Sequence, residues 1–320
     1  MRAVGLVAAV ILAACTHKPA GTTVVYGRTP PPTAIMTTDC GVDMDDQWAL
    51  THLVLSPEVD VRAVLTTHAS SVRFSSASSA KCVDDVLRTV GLPSGRTIPV
   101  VAGSDQPLQP FQGTATPRPS AAVDLLLRIS RAFSSSHRLL VLSTGAATEV
   151  ASAILTDPSL AGRIRVVAMG FEDWPRGGPE FNITNDPAAW RVILDSSVPL
   201  VIGSAAVTKG ALRLTRRQAA AIMQPHGHLG AFLYSLFDRW LTERSDLVAK
   251  IVAPETWVVW DEVVVAYTLG LARGDEVPRP RLQADMVFSH PETRERITWI
   301  SQIDAERLWS DLTTKIDRTR

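Results

Sequence analysis

From Ala34 onward the chain alternates short apolar runs with longer amphipathic ones. Apolar runs at 34–36, 59–66, 98–102, 139–142, 164–169 and 199–202 have the length and composition of strands buried on both faces. Between them, residues 47–55, 77–90, 121–133, 148–155 and 187–195 repeat apolar positions with the period of a helix lying on a sheet. This order predicts an α/β fold with a mostly parallel central sheet, right-handed crossovers and helices on both faces. Residues 226–241, 261–272 and 304–316 also read as helices, so the C-terminal third is expected to be more helical. Ligands of such sheets bind beyond the carboxyl ends of the strands, which makes the residues just after each apolar run the ones to search.

The N-terminus has a different pattern. Arg2 precedes an apolar stretch over 3–14 that ends in Leu12-Ala13-Ala14-Cys15. A basic start, a short apolar core and small residues before a Cys resemble the signal of a bacterial lipoprotein. Residues 1–14 are then the signal peptide, Cys15 is the lipidated first residue, and 15–33, rich in Thr, Pro and Gly, is a tether. The rival readings are an ordinary signal peptide and a membrane anchor, but the apolar run is short for a spanning helix. The expectation is a protein held by lipid to a membrane of the bacterial cell envelope, with 34–320 forming one domain.

Charge and cysteine usage narrow the function. Lys and Arg number 32, as do Asp and Glu, and no basic block is present, so nucleic acid is not an expected partner. Besides Cys15 only Cys40 and Cys82 occur, which excludes a disulfide-dense scaffold. One bridge between them is open in an oxidising compartment, but the expected state is a small buried thiol, because Cys40 sits inside an acidic stretch. The same carboxylates disfavour Cys40 as a nucleophile, since they raise a thiol pKa.

That stretch is the strongest chemical signal. Asp39, Asp43, Asp45 and Asp46 fall within eight residues, directly after an apolar run and before a helical pattern. One Asp there is an ordinary helix cap. Four crowded at a strand end repel one another unless a cation lies among them, and oxygen-rich clusters suit hard divalent ions. An EF-hand does not fit: counting from Asp39, its glycine position holds Met44 and its bidentate glutamate position holds Leu50.

Three later stretches make the reading specific: Ser143-Thr144-Gly145-Ala146-Ala147-Thr148, Glu180-Phe181-Asn182-Ile183-Thr184-Asn185-Asp186-Pro187, and Trp257-Val258-Val259-Trp260-Asp261. With the acidic turn they resemble the inosine-uridine type nucleoside hydrolases, over about residues 34–271. The resemblance implies a calcium-dependent hydrolysis of an N-glycosidic bond. It makes Asp39 a Ca²⁺ ligand that also positions or deprotonates the attacking water, Asp46 and Asp261 further ligands, and Thr148 a ligand through its backbone carbonyl. Asp45 would face the ribose, Glu180 and Asn182 would contact its hydroxyls, and Asp43 lies in a longer spacing between the paired aspartates. A plainer reading of Glu180 and Asn182 is that they cap the helix starting near Asp186-Pro187.

Departures from the family pattern are as informative. Trp260 stands where many members carry the histidine that protonates the leaving base, and indole offers no useful proton; its face could stack on the base instead. Ser70-Ser71 replace a Gly-Asn pair, so Ser71 offers a hydroxyl where an amide is usual, and Glu149 stands where Asn is usual. His68, His226 and His228 are the candidate replacement acids, although a lone His is more often a solvated or capping residue. A non-catalytic, calcium-dependent ribosyl-binding lipoprotein is the alternative; only a hydrolase releases free base. A phosphatase of the Asp-x-Asp kind is disfavoured because Asp39-Cys40-Gly41 lacks the second aspartate. The expected partner is a small nucleoside or N-riboside, and the family resemblance implies a homodimer or homotetramer.

Overall fold

A computed structural model describes residues 30–93, 95–110 and 113–319. The signal segment, Cys15 and most of the tether lie outside these residues. The first six strands are β1 (Thr33–Thr38), β2 (Asp60–Thr66), β3 (Val100–Ala102), β4 (Leu139–Thr144), β5 (Ile164–Met169) and β6 (Leu200–Gly203). The helices among them are α1 (Asp45–Leu55), α2 (Ser76–Val90), α3 (Ala121–Ser130), α4 (Thr148–Thr156), α5 (Phe181–Asn185) and α6 (Pro187–Asp195). Sheet order is β3-β2-β1-β4-β5-β6, continued by Arg296–Ile303 and then Ala272–Pro278 at the far edge. All neighbours run parallel except that last pair.

Burial explains why the strand signals are continuous rather than alternating. Every residue of β4, and all but the first of β1, is buried, because helices cover both faces. One core packs α1 and α2 with the C-terminal helices through Trp48, Leu53, Val86, Phe237 and Leu312. The other packs α3, α4 and α6 through Leu126, Val150, Trp190 and Ile193. Short polar side chains fix several helix starts: Ser75 accepts from the Ser78 amide, Ser120 from that of Val123, and Asp186 from that of Ala189 just after Pro187.

Strand register is what builds the site. Thr38 pairs with Thr66 on one side and Thr144 on the other, so the three chains leave the sheet side by side. The residues that follow, Asp39, Thr67-His68 and Gly145, therefore meet at one edge.

Two expectations are corrected here. The helix expected over 261–272 runs only Glu262–Thr268. Gly270 takes a positive φ of 74°, and the Leu271 amide closes back on the Ala266 carbonyl at 2.7 Å, a left-handed stop that turns Ala272 into a strand. Cys40 and Cys82, expected as thiols, are joined in a disulfide, their Cα atoms 5.8 Å apart. The C-terminal third holds helices Gly227–Glu243, Ser245–Ile251 and Ala305–Asp317, but also two strands of the central sheet and short strands of two-stranded sheets that the sequence pattern did not announce. Among the described residues no helix is long and apolar enough to cross a membrane.

Candidate active site

Beyond Thr38 the chain turns through Asp39, Cys40 and Gly41 and enters α1 at Asp45. Asp45 and Asp46 occupy the first helical turn, where unpaired backbone amides favour anionic groups. Asp46 Oδ1 accepts from the Thr144 hydroxyl at 2.8 Å and from the Thr38 hydroxyl, so two register partners grip one carboxylate. The Asp46 amide donates to Asp45 Oδ1 at 3.0 Å, and the Asp45 amide to Asp43 Oδ1 at 2.9 Å. From the other end of the chain, the Asp261 amide donates to Asp45 Oδ2 at 3.3 Å.

Asp45, Asp46 and Asp261 bring carboxylate oxygens within 4.8 Å of one another, all three buried. Asp39 lies beside them and is 3% exposed; its Oδ2 has no hydrogen-bond partner among the described residues. A Cβ at Gly145 would sit 2.9 Å from the Asp39 amide nitrogen and Oδ1, so only glycine lets β4 end this close. Burial, then the charges of Asp46 and Asp43, push the Asp39 pKa well above the usual carboxylate range; Glu180 adds to the effect. Burial followed by neighbouring carboxylates does the same to Asp45 and Asp261. Asp46 is pushed by burial to about 7, against the hydroxyl bonds that lower it.

Four buried carboxylates with no basic side chain among them are costly unless protonated or paired with a cation. The donors are all hard oxygens, and one buried oxygen is left unsatisfied. The residues therefore fit a divalent metal ion.

The remaining residues flank this cluster. Glu180 caps α5, its Oε2 accepting from the amides of Asn182 at 2.9 Å and Ile183 at 3.3 Å. The helix it caps is α5 and not the one starting at Pro187, which Asp186 caps; the Glu180 charge is still felt at Asp39, and burial pushes Glu180 itself up to about 8. Asn182 donates through Nδ2 to the Met169 carbonyl at the end of β5. The Ser71 amide donates to Asn185 Oδ1 at 3.0 Å, tying the loop after β2 to α5, and the Ser71 side chain is exposed. Trp260, half-buried, meets Trp257 edge-on at 6.1 Å, and Lys209 Nζ lies 5.6 Å from its ring centroid.

The three histidines have separate fates. His68 is fully buried; its Nδ1 accepts from the Ser70 amide, so its Nε2–H donates to Thr148 Oγ1 at 3.0 Å. The Thr148 hydroxyl in turn donates to Asp186 Oδ2 at 2.6 Å. Burial lowers the His68 pKa to about 4, which disfavours the charged ring near pH 7. His226 pairs with Asp317 at the end of the C-terminal helix, and His228 is exposed on Gly227–Glu243.

Sequence reasoning passed over the Thr38 and Thr144 hydroxyls and the Asn185-Asp186 pair. Their signal was positional: polar residues ending otherwise apolar strands, and an Asn-Asp-Pro stretch at a helix start.

Comparison with known proteins agrees with this geometry. Residues 34–310 match the sequence profile of the inosine-uridine preferring nucleoside hydrolases. A pyrimidine-specific ribonucleoside hydrolase RihA of Salmonella paratyphi A is 31% identical over 194 residues, 53% of this chain and 60% of that protein. The chain thus spans about 60% of the length of the curated relatives it matches. A plant nucleoside hydrolase structure superposes with a TM-score of 0.72 at 19% identity, covering 90% of this chain and 99% of its own. A purine-preferring ribonucleoside hydrolase from Gardnerella vaginalis gives 0.72 at 18% identity, covering 90% and 98%. The structural likeness is one of fold.

Proposed function

Because the chain belongs to the inosine-uridine preferring nucleoside hydrolase family, we propose that it hydrolyses the N-glycosidic bond of a ribonucleoside or related N-riboside with calcium as its metal. The observation that carries this reading is the convergence of Asp39, Asp45, Asp46 and Asp261, all buried and without a basic partner among them. Asp39, Asp46, Asp261 and the carbonyl of Thr148 would hold the ion, with Asp45 beside them. Calcium bound there compensates the carboxylate charge and lowers the pKa of water in its shell.

The chain's own residues do the rest. Asp39 Oδ2, which has no hydrogen-bond partner among the described residues, takes a proton from the attacking water. As the base leaves with the C–N electron pair, to be protonated by solvent, positive charge builds on the sugar until water adds, and the surrounding carboxylates stabilise that charge more than they stabilise the neutral nucleoside. Glu180 and Asn182 fix the ribose hydroxyls at the ends of β5 and α5. Trp260 offers a ring face to the base, so it contributes binding rather than a proton. The N-terminal signal pattern and Cys15 support attachment to a cell-envelope membrane.

The test is reducing-sugar release from uridine, cytidine, inosine, guanosine and adenosine, with calcium and with a chelator, beside Asp46→Ala. Calcium-dependent release that Asp46→Ala abolishes supports the proposal. Tight nucleoside binding without release contradicts it.

A further inference from the structure

The acidic turn is fastened to α2 more firmly than catalysis by carboxylates alone requires. Cys40 directly follows Asp39 and is bonded to Cys82 on α2. The Cys40 amide donates to the Thr38 hydroxyl at 3.1 Å, and that hydroxyl donates in turn to Asp46. One helical turn before Cys82, the Ser79 hydroxyl donates to the Thr38 carbonyl at 3.1 Å. Gly41, at φ +100°, lies so close to α2 that a Cβ there would be 3.3 Å from both the Cys82 Cβ and the Phe74 ring. The bridge thus closes a chain of contacts from α2 through Cys40 and Thr38 to the Asp46 carboxylate. It spans 42 residues of sequence and pins the one turn in which four like charges must be held together.

We propose that Cys40 and Cys82 are positioning residues for the metal: their disulfide holds the Asp39–Asp46 turn in its cation-binding shape, so that metal affinity follows the redox state of this pair. The inference rests on the metal reading given above. With the bridge open, repulsion among Asp39, Asp43, Asp45 and Asp46 drives the turn apart, and only hydrogen bonds, those of Thr38 and Thr144 to Asp46 and of Ser79 to the Thr38 carbonyl, oppose it. Cys40 is buried, but Cys82 is partly exposed on α2, so a small thiolate reaches the bond from the helix side. The step balances with a dithiol reductant. Two electrons and two protons pass to the bridge, its S–S bond breaks into two thiols, and the reductant's own thiols close into a disulfide. Metal affinity then falls without any change in the ligand set. Groups that orient metal ligands typically change affinity by roughly 10–100-fold, and that is the loss expected here.

The experiment is isothermal titration of calcium into the intact chain in three states: oxidised, reduced with dithiothreitol, and reoxidised. Thiol titration confirms the state of the bridge, and far-UV circular dichroism confirms the fold. The double variant Cys40→Ser, Cys82→Ser is measured beside them. The proposal expects affinity to fall roughly 10–100-fold on reduction and to return on reoxidation. The double variant should stay at the weak value in every condition. Equal affinity in the oxidised and reduced protein, with the bridge shown open, overturns the proposal and leaves the metal reading intact. Free Cys40 and Cys82 thiols in the oxidised protein, counted beyond that of Cys15, also overturn it. No calcium binding in any state overturns the metal reading itself, and this inference with it.

Discussion

Withdrawing calcium should make the protein lose stability as pH rises. In the calcium-free protein, burial holds Asp46 at about 7 instead of its ordinary 3.8, and Asp39, Asp45 and Asp261 are raised as well. A carboxyl whose folded pKa lies above its unfolded value binds more protons in the folded state throughout the interval between the two. Its contribution is complete below about pH 4 and is lost as pH rises through about 7. For Asp46 alone the rise of about three units corresponds to about 4 kcal/mol. About 2–3 kcal/mol of this is lost between pH 5 and pH 8, so at roughly 2–4 °C per kcal/mol the calcium-free melting temperature should fall by about 5–10 °C over that interval. The other three aspartates act in the same direction. Calcium offsets this fall, because only the ionised carboxylates bind it and protons compete: at about 1,000 times Kd it adds about 4 kcal/mol at pH 8 and much less at pH 5. Scanning calorimetry of the intact chain at both pH values, in metal-stripped buffer and with excess calcium, reads all four conditions. A calcium-free protein that melts at the same or a higher temperature at pH 8 than at pH 5 would refute the reasoning, because the aspartates would then be paired without a cation.

Other consequences are more local. Asp39→Asn keeps the shape of the turn but removes the base, so kcat should drop roughly 10²–10⁴-fold while the melting temperature stays near or above the wild-type value without calcium. Thr144→Val deletes a hydroxyl donor to Asp46; calcium affinity, read by titration calorimetry, should weaken roughly tenfold. Trp260→Ala should raise KM more than it lowers kcat, by about 1–3 kcal/mol of lost base stacking, and an unchanged KM would remove the ring from the base site. His52 is buried between Glu262 at 2.9 Å and Asp311 at 2.8 Å; His52→Leu leaves the buried Glu262 without this partner, while Asp311 keeps Lys315, and should cost about 3–5 kcal/mol in denaturant unfolding.

The alternating pattern disclosed the parallel part of the sheet because strands covered on both faces must be apolar throughout, as β1 and β4 are. It missed Ala272–Pro278 for the converse reason: an edge strand reading Ala-Arg-Gly-Asp-Glu-Val-Pro carries exposed charges and only two fully buried positions. The acidic turn was legible because like charges at a strand end demand an explanation. The Cys40–Cys82 bridge was not, since it depends on α2 folding back over that turn, a contact 42 residues away in sequence. His68 shows a further limit. Spacing placed it at the correct sheet edge, but its burial and its bonds to Ser70 and Thr148, which decide its protonation, are properties of the folded chain.

The most direct test of the central claim is a proton NMR time course of uridine and inosine with the intact protein at neutral pH, first in metal-stripped buffer and then after calcium is added. The account predicts that the nucleoside anomeric signal persists without metal, and that on adding calcium it gives way to free base and ribose for at least one of the two. Nucleoside that remains intact with saturating calcium bound, or cleavage at the same rate in metal-stripped buffer, would contradict it.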